Sequence, residues 1–127
     1  MLSLEPQLKT KMAVDLPKSG LSDALEGGVK RQLDDLYAAV AKSDGVELDA
    51  VPKALPFHVR IVSNIDKKHA VRTEMAERFK DTGYPLEYPC KSKCVLLFQK
   101  VDGSDVLVFG MYVYEYGHDC PPPNRRR

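Results

Sequence analysis

This 127-residue sequence has almost no excess of charge, few cysteines and no long apolar run, and each shortage removes a class of function. Nineteen Lys and Arg face eighteen Asp and Glu, a formal net charge of +1, too weak a field to gather nucleic acid or an anionic membrane. Neither is expected as a partner. No stretch reaches the ~18 to 20 apolar residues that span a bilayer, and Met1 to Met12 alternates polar and apolar residues where a secretory leader would carry an apolar core. The chain reads as intracellular. Its three cysteines, Cys90, Cys94 and Cys120, are an odd number and do not form the even framework of a small secreted domain. Zinc held by Cys90, Cys94, His118 and Cys120 is disfavoured as well. Cys90 and Cys94 fall in a strand-like stretch, where four residues span ~13 Å, too far for two Zn–S bonds of about 2.3 Å to one ion. No metal site is expected. Glycine-rich phosphate loops are absent, both the G-x-x-x-x-G-K-[ST] form and a G-x-G-x-x-G opening a helix. That argues against nucleotide binding in either manner.

What remains is an ordinary soluble composition, 43% apolar and 29% charged, long enough for one core. Residues 1–16 show no sustained period and are expected to be disordered or loosely packed. From Ser19 the pattern turns helical: Leu21, Leu25, Val29, Leu33, Leu36 and Val40 recur every three or four positions and share one face. Ser22 is placed to cap the start, and Gly27-Gly28 would divide the helix in two, since each glycine costs roughly 1 kcal/mol in a helix interior. Ser43-Asp44-Gly45 ends it. A strand over about 57–65 follows, with Phe57, Val59 and Ile61 inward and His58, Arg60 and Asn64 on a wet face. Asp66-Lys67-Lys68 reads as a turn and Thr73 as the cap of a short helix. The clearest signal is Asp102-Gly103 between two apolar runs, which predicts a hairpin with strands at about 93–101 and 105–116. Such continuous apolar strands belong where both faces of a sheet are covered, so the hairpin is expected at the centre of a sheet. The fold class is α/β, an N-terminal helix followed by a mainly antiparallel sheet.

Catalytic constellations are thin. His58, His69 and His118 each sit in polar context, none beside a serine or cysteine in a known catalytic motif. Tyr112, Tyr114 and Tyr116 place three phenols on one strand face, most simply as packing, since strands favour tyrosine. The other use of this strand is as an edge that takes up a partner's strand, which would make the chain a small non-catalytic binding module.

The residues Met111-Tyr-Val-Tyr-Glu-Tyr-Gly-His-Asp-Cys-Pro-Pro-Pro-Asn-Arg-Arg126 resemble a segment of the CREB-binding-protein type of histone acetyltransferase domain, the plant versions above all. The resemblance extends back through Phe109-Gly110, Leu96-Leu97-Phe98-Gln99-Lys100, and Tyr88-Pro89-Cys90-Lys91-Ser92-Lys93, which is similar to the family's phenylalanine-proline-tyrosine-lysine-serine-lysine block. Val59-Arg60-Ile61-Val62 with Asp66-Lys67-Lys68 is similar to its first strand and turn. This implies that residues 17–127 form the N-terminal portion of such a domain, truncated at the C-terminus and holding an incomplete part of its central sheet. It further implies acetyl-coenzyme A as co-substrate of the complete domain, with histones and other lysine-bearing proteins as acceptors, a role in transcription regulation and a nuclear location. In that chemistry a desolvated lysine attacks the thioester and a tyrosine protonates the departing thiolate. The family's coenzyme-binding and catalytic segments follow the paired arginines matched by Arg125 and Arg126, so this chain alone is expected to be inactive and to bind no coenzyme. Ser92 falls where relatives carry a serine or threonine near the mouth of the lysine tunnel, and the resemblance implies a substrate-side position for it. Cys90 stands in place of the family's usual tyrosine.

Overall fold

A 25-residue helix, α1 (Gly20–Asp44), carries Gly27 and Gly28 without a break. The computed structural model describes residues 12–126. The cap of α1 is Ser19, one turn earlier than the Ser22 expected from the sequence. Ser19 Oγ accepts from the Ser22 N–H at 3.1 Å, and the Ser19 N–H donates to Ser22 Oγ at 2.8 Å, so two orphan donors are satisfied reciprocally. Gly45, at φ +65°, closes the helix in the left-handed conformation. The face is also different from the one periodicity selects. Leu21 and Leu36 are exposed, whereas Ser22 and Glu26 are the buried residues of α1.

Three strands follow, β1 (Phe57–Ala70), β2 (Glu87–Val101) and β3 (Ser104–Glu115), in the antiparallel order β1-β2-β3. The helix and the mainly antiparallel sheet stand as the sequence indicates. β1 runs five residues beyond its expected end, because Asp66-Lys67-Lys68 does not turn but continues extended with its charges exposed. β2 starts six residues before the expected 93. Between them, the short helix α2 (Thr73–Arg78) is flanked by Arg72 rather than capped by Thr73, and the Val71 N–H bonds to Leu86 O at 2.9 Å where the chain returns. The hairpin forms at Asp102-Gly103, with φ +49° and +78°, the signs a type I′ turn requires. Gly103→Ala should cost about 1 kcal/mol, read by equilibrium urea unfolding. One position differs from expectation: β3 is an edge of the described sheet, not central, and Val106, Leu107, Val108 and Phe109 are all exposed.

The described residues divide into two compact units, those up to Arg60 with Leu96–Phe109, and Ile61–Val95 with those from Gly110 onward. In the first unit the wet face expected of β1 is dry at its most polar position. Arg60 is 2% exposed. Its Nη1 donates to Val59 O at 2.9 Å and to Glu26 Oε1 at 3.4 Å, and its Nε donates to Leu16 O at 3.2 Å. A buried cation needs these partners. The expected loose segment 1–16 lies outside the described residues up to residue 11. Its described part is held, with Ala13 buried and its N–H donating to Asp105 Oδ2 at 2.7 Å.

Candidate functional site

In the second unit, β2 alternates inward residues Tyr88, Cys90 and Ser92, each at most 7% exposed. A strand's period of two puts them on one face. Beside them lies an open cleft of about 670 Å³ whose walls include Lys67, Cys90, Lys91, Glu115, Tyr116 and Asp119. Ser92 does not line this cleft; it is buried, between the cleft residue Lys91 and Lys93, whose Nζ meets Glu115 Oε1 at 2.7 Å. The lysines around the cleft are largely matched by acids: Lys91 Nζ lies 3.7 Å from Asp66 and Lys68 Nζ 3.2 Å from Glu87. Lys67 instead rests over the Tyr114 ring, 5.6 Å from its centroid.

The three tyrosines of the last strand segment do not act as one surface. Tyr112 is 68% exposed. Tyr114 packs on His69, ring centroids 5.5 Å apart, and His69 Nδ1 lies 3.2 Å from the Tyr116 hydroxyl. Tyr116 meets Tyr88 edge-on at 6.4 Å, and Tyr88 meets Tyr84 in the same manner at 6.3 Å, the geometry ring quadrupoles favour. His69 and Tyr116 stand 47 residues apart, a pairing that no local spacing announces.

Burial sets the protonation of this cluster. It pushes the Tyr88 phenol up to about 12, with the neighbouring Tyr84 hydroxyl and then Cys120 adding, and among the described residues no group lies in good hydrogen-bond geometry to the Tyr88 hydroxyl. Burial likewise raises Tyr116, helped by Cys90, Cys120 and Tyr114. The Cys120 thiol is raised by burial, then by Asp119 and Cys90, against a smaller lowering by Arg125. All three stay protonated at neutral pH, the opposite of what an activated nucleophile or base needs. Cys90, Cys94 and Cys120 are all free thiols.

These elements coincide with a known domain. Residues 50–127, which include all three strands, match the family described as histone acetyltransferase domain KAT3. The chain is 42% identical over 122 residues to Histone acetyltransferase HAC1 of Arabidopsis thaliana, covering 96% of this chain and 7% of that protein. It is 43% identical over 122 residues to Probable histone acetyltransferase HAC-like 1 of Oryza sativa subsp. japonica, with the same coverage. Protein cbp-1 of Caenorhabditis elegans is 32% identical over 117 residues, 91% of this chain and 5% of that protein. The chain thus spans less than a tenth of the length of these relatives. With its helix, its antiparallel sheet and the block around Ser92 inside the matched region or next to it, the chain belongs to the KAT3 histone acetyltransferase domain family.

Proposed function

We propose that this chain is part of a protein-lysine acetyltransferase domain, residues 17–127 being its N-terminal portion, which transfers acetyl from acetyl-coenzyme A to lysines of histones and other proteins in the nucleus as part of transcription regulation. The reading rests chiefly on the family match over residues 50–127, which takes in β1, β2 and β3. Within that domain the chain supplies scaffold, and Ser92 stands on the substrate side of β2. The polypeptide alone is inactive. Consistent with that, Tyr88, Tyr116 and Cys120 are held in their neutral forms by burial, so none is poised as a base or nucleophile near pH 7. A second reading, a non-catalytic module whose Tyr112 to Tyr116 strand takes up a partner's strand, draws on the exposure of β3 as a sheet edge.

Two measurements test these readings, and the second separates them. Calorimetry of the 127-residue chain with acetyl-coenzyme A should give no heat, and the chain should acetylate no histone H3. A chimera in which this chain replaces the matching segment of Arabidopsis HAC1 should keep acetyl transfer within about tenfold, because a loss of 1.4 kcal/mol in transition-state stabilisation is one factor of ten. Turnover by the isolated chain would sink the scaffold reading, and a folded but inactive chimera would favour the binding module.

A further inference from the structure

The first unit holds a second groove, between α1 and the loop that enters β1, which plays no part in the acetyl-transfer reading. It has a volume of about 480 Å³, within the range of ligand-binding clefts. Its floor and walls are Leu33 and Tyr37 from α1 and Leu55 and Phe57 from the loop and strand, with Lys53 and Lys30 above. The loop is fixed in place: Lys100 N–H donates to Pro56 O at 2.8 Å, and Gln99 Nε2 to Leu55 O at 3.5 Å. Leu55 nonetheless leaves 49% of its surface in water.

The polar groups at the rim are arranged for an anion. Lys53 Nζ donates to Leu48 O at 2.6 Å and to Val51 O at 2.7 Å, and sits 5.1 Å from the Tyr37 ring centroid. An ammonium has three donors, so one is left over. Among the described residues Lys53 has no carboxylate partner. Its charge is therefore fixed by neutral carbonyls and stays uncompensated. The Tyr37 hydroxyl accepts the Ala54 N–H at 2.7 Å, which leaves its own proton to donate. Lys30, over the Phe57 ring at 6.0 Å, is already paired with Glu26 Oε2 at 3.5 Å, so the cation left to meet a ligand is Lys53, with the acid Asp34 on the wall.

We propose that this groove docks a segment of a partner protein that carries a carboxylate beside a large aliphatic side chain. The aliphatic group enters between Leu33, Leu55 and Phe57. The carboxylate takes the free Lys53 donor and the Tyr37 proton, a charge-assisted pair stronger than its neutral counterpart. An acidic partner fits because Lys53 has only carbonyl partners for its charge; a basic segment would meet that ammonium directly.

The test is an amide-resolved NMR titration of the ¹⁵N-labelled chain at low salt with Ac-Gly-Leu-Asp-Leu-Gly-NH₂ and with its Asn counterpart. Saturable shifts are expected at Ala54, Leu55 and Phe57 with the Asp peptide, and binding weaker by roughly fivefold or more with the Asn peptide. Lys53→Met should erase the difference between the two peptides. Leu55→Glu, an exposed position that leaves the carbonyl contacts of Lys53 intact, should weaken the Asp peptide selectively. Absence of saturable shifts up to millimolar peptide, equal affinity for both peptides, or an Asp preference that survives Leu55→Glu would overturn the proposal.

Discussion

Glu26→Ala should lower the stability of this chain by about 3 to 5 kcal/mol, the cost of stranding a buried charge by removing its partner. The stranded group is Arg60, 2% exposed, which reaches Glu26 Oε1 at 3.4 Å. Glu26 also accepts the Val59 N–H at 3.0 Å, so its loss leaves a buried backbone donor unpaired too. A small domain holds only about 5 to 15 kcal/mol in total, so the variant should be close to unfolding at 37 °C. Urea denaturation followed by circular dichroism measures the difference. Lys30→Ala, which removes only the exposed partner at 3.5 Å, should cost under about 0.5 kcal/mol. Glu26→Ala combined with Arg60→Met should cost less than the two single changes added together, since the pair shares one interaction. A Glu26→Ala loss below 1 kcal/mol would show that Arg60 finds enough compensation in the carbonyls of Leu16 and Val59.

The same pair carries a pH dependence of definite sign. Burial alone would raise the Glu26 carboxyl, but the Val59 N–H, Lys30, Arg60 and His58 outweigh it and leave it below its ordinary value of 4.5. A depressed carboxyl contributes stability that is present above its unfolded pKa and lost as pH falls through its folded one, because there the unfolded chain binds the extra proton. The wild type should therefore lose stability on acidification from about pH 4.5 downward. Glu26→Gln should flatten that part of the curve.

The hairpin was legible because its signal is local. Asp102-Gly103 dictates the turn through backbone sterics alone, and the apolar runs on either side set two strands. The face of α1 was not, because it is decided by a residue far along the chain. Periodicity selects Leu21, Leu25, Val29, Leu33, Leu36 and Val40, yet the helix buries Ser22 and Glu26, since Glu26 answers Arg60 34 positions away. For the same reason the alternation in β1 misassigned Arg60 to water: a guanidinium on a strand reads as wet until its counter-ion is known. Asp66-Lys67-Lys68 misled in the other direction, as charged residues at a strand's exposed end resemble turn residues in composition. At the candidate site, Ser92 was reachable through the resemblance of its block, whereas the packing of Tyr88 against Tyr84 and Tyr116 and the contact of His69 with Tyr116 join distant segments that carry no common motif.

Tyr88→Phe should raise the stability of the chain, by about 1 kcal/mol or more. Tyr88 is 4% exposed and its hydroxyl is buried without a hydrogen-bond partner among the described residues. An unsatisfied buried hydroxyl costs about 1 to 3 kcal/mol in lost hydration, and phenylalanine removes the polar atom while keeping the ring. The edge-on ring contacts with Tyr84 and Tyr116 at 6.3 and 6.4 Å survive the change, and only the weak approach of the Tyr84 hydroxyl to that of Tyr88 is lost. The expected gain corresponds to roughly 4 °C in Tm per kcal/mol for a domain of this size, which differential scanning calorimetry reads directly. An alkaline signature goes with it. The phenol's pKa is raised from 10.0 to about 12 in the folded chain, first by burial. The phenol leaves stability independent of pH below about 10 and lowers it as pH rises from there through 12, because the unfolded phenol ionises first while burial holds the folded one neutral. The phenylalanine variant lacks that loss, so its stability should fall less steeply across this window, with the remaining slope coming in part from Tyr116, which burial also raises. If Tyr88→Phe instead lowers stability by more than 1 kcal/mol, the hydroxyl has a partner in solution, and Tyr88 becomes a polar member of the face it shares with Cys90 and Ser92.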